Sequence, residues 1–170
     1  VLRQAVVKVL RAEGARSRES VELFRGEAEK MARASHPNVA TLYSFWEEPD
    51  GRLVLAMEFA GQRDIATEVS RLGRLGVERA LELVRQASEG LHAAHRRGVV
   101  HRDIKPANLM LSDDEGREVV KVIDFGVARL RRTDVDATLA SVSGRGFFTG
   151  TPAYSSPEQA EDEPLDARSD

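Results

Sequence analysis

A charged polar stretch, His101-Arg102-Asp103-Ile104-Lys105-Pro106-Ala107-Asn108, constrains the fold more than any other part of this sequence, because of what flanks it. Before it, residues 77–98 carry apolar side chains at helical spacing and end in Arg-Arg-Gly, which is typical of a helix C-terminus. After it, residues 108–111 and 119–123 have the composition of two short strands joined by a polar turn. The sequence therefore predicts a helix, a polar loop and a β-hairpin in succession.

The predicted helix has one face that its periodicity defines. The members of that face are Leu81, Val84, Ser88, Leu91 and His95, with Ala80, Ala87 and Ala94 beside them. We expect this face to contact the core.

The first third of the chain predicts a small α+β unit. Residues 5–10 have the composition of a buried strand, and residues 21–34 carry an apolar stripe at helical spacing. The run His36-Pro37-Asn38 should end that helix. Residues 39–46 and 52–59 then predict two strands of a hairpin, joined by a turn that contains proline and glycine.

Composition excludes several classes of function. A net charge of −3 with 31% charged residues is not the basic excess of a protein that binds nucleic acid, so we expect no DNA or RNA partner. The chain has no cysteine, which excludes disulfides and thiolate metal sites and is typical of the cytosol. No apolar run approaches the ~20 residues that span a bilayer, so we expect no membrane segment in this chain, although a longer protein could carry an anchor elsewhere.

Three motifs together resemble the protein kinase family. They are the polar stretch 101–108, the tripeptide Asp124-Phe125-Gly126, and the run Thr149-Gly150-Thr151-Pro152-Ala153-Tyr154-Ser155-Ser156-Pro157-Glu158. They are similar to the catalytic loop, the metal-binding motif and the end of the activation segment of Ser/Thr protein kinases, and the variant Ser156-Pro157-Glu158 resembles bacterial members.

The resemblance covers essentially the whole chain and implies a truncated two-lobe α+β fold. It divides the sequence into a partial N-lobe at 1–57, a hinge at 58–61 and a partial C-lobe at 62–170. No Gly-x-Gly-x-x-Gly stretch precedes Lys8, so we expect a fragment of a longer domain that is nearly inactive in isolation.

The resemblance also implies catalytic roles in transfer of the ATP γ-phosphoryl group to a protein hydroxyl. Asp103 would accept or orient the proton of the hydroxyl, Lys105 would neutralise the transferring phosphate, and Thr151 would contact both. Asn108 and Asp124 supply the hard oxygen ligands that Mg²⁺ prefers. The expected cofactors are therefore ATP and Mg²⁺.

Other residues are assigned to nucleotide binding by the same resemblance. Lys8 would hold the α- and β-phosphates, with Glu27 as its ion-pair partner. The adenine pocket would be formed by Val6, Met57 as gatekeeper, Glu58 and Ala60 of the hinge, and Met110 as floor. Met57 could equally be plain strand core. The resemblance also implies that Met31, His101 and Phe125 form the family's regulatory spine, and simple packing together explains these three residues equally well.

The predicted long loop after Asp124 offers hydroxyls that phosphorylation could modify: Thr138, Ser141, Ser143 and Thr149, of which Thr149 is favoured by position. We expect protein substrates with Ser or Thr, and self-association for autophosphorylation. Two alternatives stay open from sequence: a pseudokinase that acts as a scaffold, and a phosphotransferase for small molecules.

Overall fold

The computed structural model describes residues 4–10, 18–32, 35–125, 151–161 and 163–170, without the side chains of residues 18–20, 23, 24 and 27. The first sheet contains strands β1 (Ala5–Leu10), β2 (Leu42–Glu47) and β3 (Leu53–Glu58) in the order β1-β3-β2. Helix α1 (Arg18–Ala32) packs against it. The predicted strand, helix and hairpin are confirmed, with each hairpin strand shorter than expected.

The register of the first sheet decides which side chains share a face. β1 runs antiparallel to β3, with Val6 opposite Met57 and Lys8 opposite Leu55. Since side chains alternate along a strand, Val6 and Lys8 share one face of β1. The core under the sheet consists of Ala28, Leu53 and Leu55.

A second group of elements contains β4 (Arg63–Asp64), α2 (Ile65–Leu72), α3 (Val77–His95), β5 (Leu109–Asp114) and β6 (Arg117–Val122), with the strands in the order β4-β5-β6. The predicted helix and hairpin are confirmed, whereas β4 and α2 had not been predicted. Asp64 begins α2 as an N-cap, because its side chain accepts a hydrogen bond from Thr67 N. Leucines and valines of α3, β5 and β6 form the core of this group.

The predicted apolar face of α3 is correct in part. Ala87, Leu91 and Ala94 of that face are buried, but Leu81 and Val84 are 65% and 62% exposed, and the other buried positions are Leu83, Gln86 and Gly90. Position 90 has no room for a larger side chain, because a Cβ on Gly90 would lie 2.5 Å from the carbonyl oxygen of Asn38. Periodicity located the helix correctly but placed its buried face about one position away.

The segment at 35–41 connects the two sheets. Val39 forms a parallel bridge with Val122, and Ala40 N donates to Val122 O at 3.0 Å. The buried side chain of Asn38 donates to Gln86 Oε1 at 3.1 Å and to Val120 O at 2.8 Å. The segment 35–41 is therefore fixed to both α3 and β6.

The rest of the described chain is short turns around the loop 101–108. Three 3-10 helices occur at Pro106–Asn108, Pro152–Tyr154 and Ala167–Ser169, and helix α4 occupies Pro157–Ala160. The predicted long loop lies mostly at 126–150, outside the described residues. In the described ranges, every helix is too short or too polar to cross a bilayer.

Candidate active site

The carboxylate of Asp103 lies at the centre of a cluster of polar side chains. Lys105 Nζ donates to Asp103 Oδ2 at 2.7 Å and to Thr151 Oγ1 at 3.1 Å. Asn108 Nδ2 donates to the Asp103 carbonyl at 2.7 Å and to Oδ2 at 3.2 Å. The structure thus brings together four of the residues that the sequence predicted, drawn from the loop after α3 and from the segment 151–161.

The backbone next to Asp103 is held in an unusual conformation. Arg102 has a φ of 71°, in the left-handed region that a non-glycine residue adopts only at a cost of ~1–3 kcal/mol. Asp170 stabilises this turn, because Oδ2 accepts from His101 N and Oδ1 from Arg102 N, both at 2.7 Å. The Asp170 side chain is fully buried and also contacts His95 Nε2 at 2.7 Å.

His101 links this loop to the end of β6. Its Nε2 lies 2.7 Å from the Ile123 carbonyl, which can only accept, so Nε2 carries the proton. Nδ1 then accepts from Asp103 N at 3.2 Å. Burial lowers the pKa of His101, which favours the neutral ring that this arrangement requires. One imidazole therefore connects the backbones before Asp124 and at Asp103.

The aromatic ring of Phe125 packs edge-on against His101, with centroids 4.6 Å apart. Phe125 also packs against a buried cluster that contains Met31, Val39, Ala94 and Val99. Phe125 thus contacts both His101 and the cluster that contains Met31, an arrangement that fits simple packing and a regulatory spine equally.

Lys8 and Asp124 meet across the two sheets. Lys8 Nζ lies 2.6 Å from Asp124 Oδ2, and both side chains are about a quarter exposed, at 25% and 26%. Asp124 has a φ of 66°, so this residue too adopts a left-handed conformation. The predicted partner of Lys8, Glu27, has its side chain outside the described residues, and Thr138, Ser141, Ser143 and Thr149 also lie outside them.

The residues at this point fit a hard divalent cation. Asn108 uses its amide nitrogen for Asp103, which leaves its oxygen as the ligand atom. The backbone bond from Ile123 N to Asn108 O, at 3.0 Å, brings the residue before Asp124 against Asn108. An amide oxygen and a carboxylate are the ligand types that Mg²⁺ prefers. No cluster of three or more acidic, histidine or cysteine side chains suited to a metal occurs in the described ranges, so such an ion would need further ligands from elsewhere.

The residues predicted for the adenine pocket come from both sheets and from the segment between β3 and β4. Val6 is 40% exposed and pairs with Met57, while Met110 of β5 pairs with Asp64 and Lys121. Gly61 has a φ of +130°, and a Cβ there would lie 2.2 Å from Leu111 O, so only glycine allows residues 58–61 to approach β5 this closely.

The Glu58 side chain contacts the second sheet and the segment that precedes β2. It accepts from Thr41 N at 3.0 Å and pairs with Lys121 at 2.9 Å. Although burial alone would raise it, these two contacts lower the pKa of Glu58. Its backbone N donates to Thr41 O at 2.8 Å, and Ala60 is buried. The side chain and the backbone N–H of Glu58 are therefore both engaged in contacts within the protein.

Sequence reasoning missed two groups that support this site. Asp170 and Gln159 were not assigned, although both bond the backbone around Arg102. Glu68 of α2 was also missed: it is 2% exposed and binds Arg63, Arg71 and Arg79 at 3.0–3.1 Å. Hydrogen bonds from Arg71 and Arg79 lower the pKa of Glu68 to about 2. The sequence could have indicated this role of Glu68 only if helix α2 had first been predicted.

Comparisons with known proteins agree with the geometry. The family model of the protein kinase domain matches residues 2–170. The serine/threonine-protein kinase pkn3 of Myxococcus xanthus is 39% identical over 166 residues, which cover 97% of this chain and 30% of that protein. PknB of Mycolicibacterium smegmatis is also 39% identical, over 171 residues that cover 99% of this chain and 26% of PknB. The chain thus spans under a third of these relatives.

Solved structures show the same fold. The PknI kinase domain of Mycobacterium tuberculosis superposes with a TM-score of 0.72 at 27% identity, over 97% of this chain and 58% of that domain. A second crystal structure of the same domain gives a TM-score of 0.69 at 26% identity, over 97% of this chain and 56% of that domain. The predicted α+β fold of a truncated two-lobe domain is therefore confirmed.

Proposed function

Because this chain belongs to the protein kinase domain family, we propose that it is part of a Ser/Thr protein kinase that transfers the γ-phosphoryl group of ATP to protein hydroxyls. One observation carries this proposal: Lys105 Nζ bonds both the Asp103 carboxylate and the Thr151 hydroxyl. A cation between a carboxylate and a segment that follows the predicted activation loop suits the reaction of a peptide hydroxyl with a phosphoryl group.

Asp103 is the group that we assign to the proton of the substrate. The side-chain contacts described for its carboxylate, from Lys105 and Asn108, fall on Oδ2, so we assign Oδ1 to the hydroxyl. As the hydroxyl oxygen forms its bond to the γ-phosphorus, the bond from phosphorus to the β-γ bridging oxygen breaks and ADP leaves. The hydroxyl proton passes to Asp103, and Lys105 neutralises charge on the transferring group.

The nucleotide would be held by both sheets. We assign the α- and β-phosphates to Lys8, with Glu27 as its partner, and the adenine to the pocket of Val6, Met57, Glu58, Ala60 and Met110. Asn108 and Asp124 would hold Mg²⁺, which would supply positive charge to the phosphates of the nucleotide. The pair between Lys8 and Asp124 supports this assignment, because it brings a cation and a carboxylate together at one point.

The remaining partners are inferred from the reaction. A kinase of this kind acts on protein Ser or Thr and can modify a second copy of itself, so we propose self-association for autophosphorylation. ATP is the intracellular phosphoryl donor, so we propose that this domain works in the cytoplasm.

The test is a transfer assay on the full-length protein with radiolabelled ATP and Mg²⁺. Wild type should label a generic protein substrate and not small alcohols, and Asp103→Asn should abolish labelling while the protein stays folded. Asp50→Asn, in an exposed turn of the first sheet, is the matched control and should keep full activity. Nucleotide binding without transfer would instead identify a pseudokinase, and labelling of small alcohols alone would identify a small-molecule phosphotransferase.

A further inference from the structure

We propose that Gln159 is a positioning residue that connects the substrate-side segment to the catalytic loop and holds Asp103 in place; this inference rests on the proposed kinase function. The Gln159 side chain donates from Nε2 to the carbonyl oxygen of Arg102 at 2.6 Å. The two residues are 57 positions apart in the chain, so the bond joins two separate parts of the structure.

Gln159 is fixed at its own end by the start of helix α4. Its Oε1 accepts from Ser156 N at 3.1 Å, and Ser156 Oγ accepts from Gln159 N at 3.3 Å, which is the reciprocal arrangement of a capping box. The amide is therefore oriented, with its oxygen toward the helix start and its nitrogen toward Arg102. Both residues are half-buried, so water competes only partly for this bond.

The bond acts on the strained turn before Asp103. The amide N of Arg102 is already bonded to Asp170, and the carbonyl of the same residue is bonded to Gln159. A left-handed non-glycine residue persists only where its surroundings determine it from several sides. Because the Arg102 carbonyl belongs to the peptide group of Asp103, fixing that oxygen fixes the orientation from which the Asp103 side chain departs.

The same segment contacts the catalytic loop at its other end, where Lys105 Nζ donates to Thr151 Oγ1. The segment 151–161 is thus joined to the loop at both Thr151 and Gln159. A substrate peptide that displaced the segment would shift the catalytic carboxylate with it.

The residue type at position 159 distinguishes the capping contact from the contact with Arg102. A capping box needs only an acceptor at this position, and glutamate serves as well as glutamine. The contact with Arg102 needs a donor, which a carboxylate lacks, and a glutamate would set oxygen against oxygen. Of glutamate and glutamine, only glutamine can accept from Ser156 N and also donate to the Arg102 carbonyl. Gln159→Glu should therefore keep the capping contact and remove the contact with Arg102.

The experiment compares Gln159→Glu with wild type in the full-length kinase. We expect kcat to fall about ten- to a hundredfold because Asp103 is misplaced, with KM for ATP changed less than about twofold. Hydrogen–deuterium exchange at the amides of residues 101–104 should become faster. Gln159→Met is the second variant: it is neutral and similar in length, so it tests position 159 even if the charge of Gln159→Glu impairs folding. Asp50→Ala is the surface control.

Each outcome decides the proposal. If Gln159 only caps α4, Gln159→Glu will keep wild-type kcat and exchange, and the proposal is overturned. If only Gln159→Met is impaired, the cap matters and the donor does not, which also overturns it. If wild type itself transfers no phosphate, the kinase assignment fails, but faster exchange at 101–104 in Gln159→Glu would still establish the positioning contact.

Discussion

Lys8 Nζ lies 2.6 Å from Asp124 Oδ2, although 116 positions separate the two residues. The contact joins β1 of the first sheet to a residue just beyond the end of β6 in the second sheet. Both side chains remain about a quarter exposed, so solvent screens the pair and its net contribution to stability is small. A bound nucleotide and cation can therefore replace this contact without unfolding the domain.

The first prediction concerns this pair. Lys8→Met and Asp124→Asn should each lower phosphate transfer by at least about a thousandfold in the full-length protein, because each removes a charge that the triphosphate needs. Melting temperature should change by less than about 2 °C, as expected for a screened pair. Retained autophosphorylation in Asp124→Asn would contradict the metal role.

The second prediction tests the hydroxyl of Thr151. Thr151→Val keeps the shape but removes the oxygen that Lys105 bonds, so kcat should fall roughly tenfold, in line with one lost hydrogen bond to a charged group. Thr151→Ser retains the oxygen and is the matched control, which should keep most of the activity. Equal activity of the two variants in a steady-state assay would show that the hydroxyl is not needed.

The third prediction concerns Asp170. An asparagine has one acceptor oxygen, so Asp170→Asn leaves the amide of either His101 or Arg102 unpaired. We expect about a ten- to hundredfold loss of kcat, because the Asp103 turn loosens, and faster hydrogen exchange at those two amides. Asp166→Asn, exposed and close by in the chain, is the control. Unchanged kcat in Asp170→Asn would contradict a role for this carboxylate in holding the loop.

The fourth prediction concerns the buried Glu68 and its three arginines. Glu68→Gln should lower the melting temperature by roughly 5–10 °C, because it weakens the hydrogen bonds that the buried, charged carboxylate accepts from three arginine side chains. Glu89→Gln removes an exposed pair with Arg85 and should shift it by about 1 °C or less. Equal shifts in melting temperature for the two variants would show that burial of Glu68 does not increase its contribution to stability.

The same residue predicts a pH dependence. The pKa of Glu68 in the folded protein is about 2, below the ~4.3 of an unfolded glutamate, so the folded state favours the carboxylate. Its stabilising effect is complete above the unfolded pKa and is lost as pH falls from about 4.5 toward 2. Melting curves of wild type and Glu68→Gln should therefore converge over that interval, and parallel curves would contradict it.

The sequence motifs predicted the polar cluster around Asp103 more completely than the contacts that hold this cluster in place. Asp103, Lys105 and Asn108 lie within six positions, so their proximity follows from local chain geometry, and the structure places Thr151 beside them. The roles of Asp170 and Gln159 depend on contacts over 57 to 69 positions, which no local pattern encodes.

Helix α3 shows the second limit. Its apolar spacing gave its extent, but tertiary contacts decide which face is buried. Leu83 and Leu91 pack into a core with β5 and β6, and Gly90 lies where Asn38 approaches too closely for a Cβ. The helix α2 was missed because its stability depends on Glu68 binding arginines from β4 and α3 as well as its own.

The bridge between Val39 and Val122 has a mechanical consequence. The same segment is held by the hydrogen bonds of Asn38 to Gln86 and Val120, and the pair of Glu58 with Lys121 joins the two sheets at another point. A displacement of one sheet relative to the other would therefore strain several of these contacts at once, which couples the movement of the two sheets.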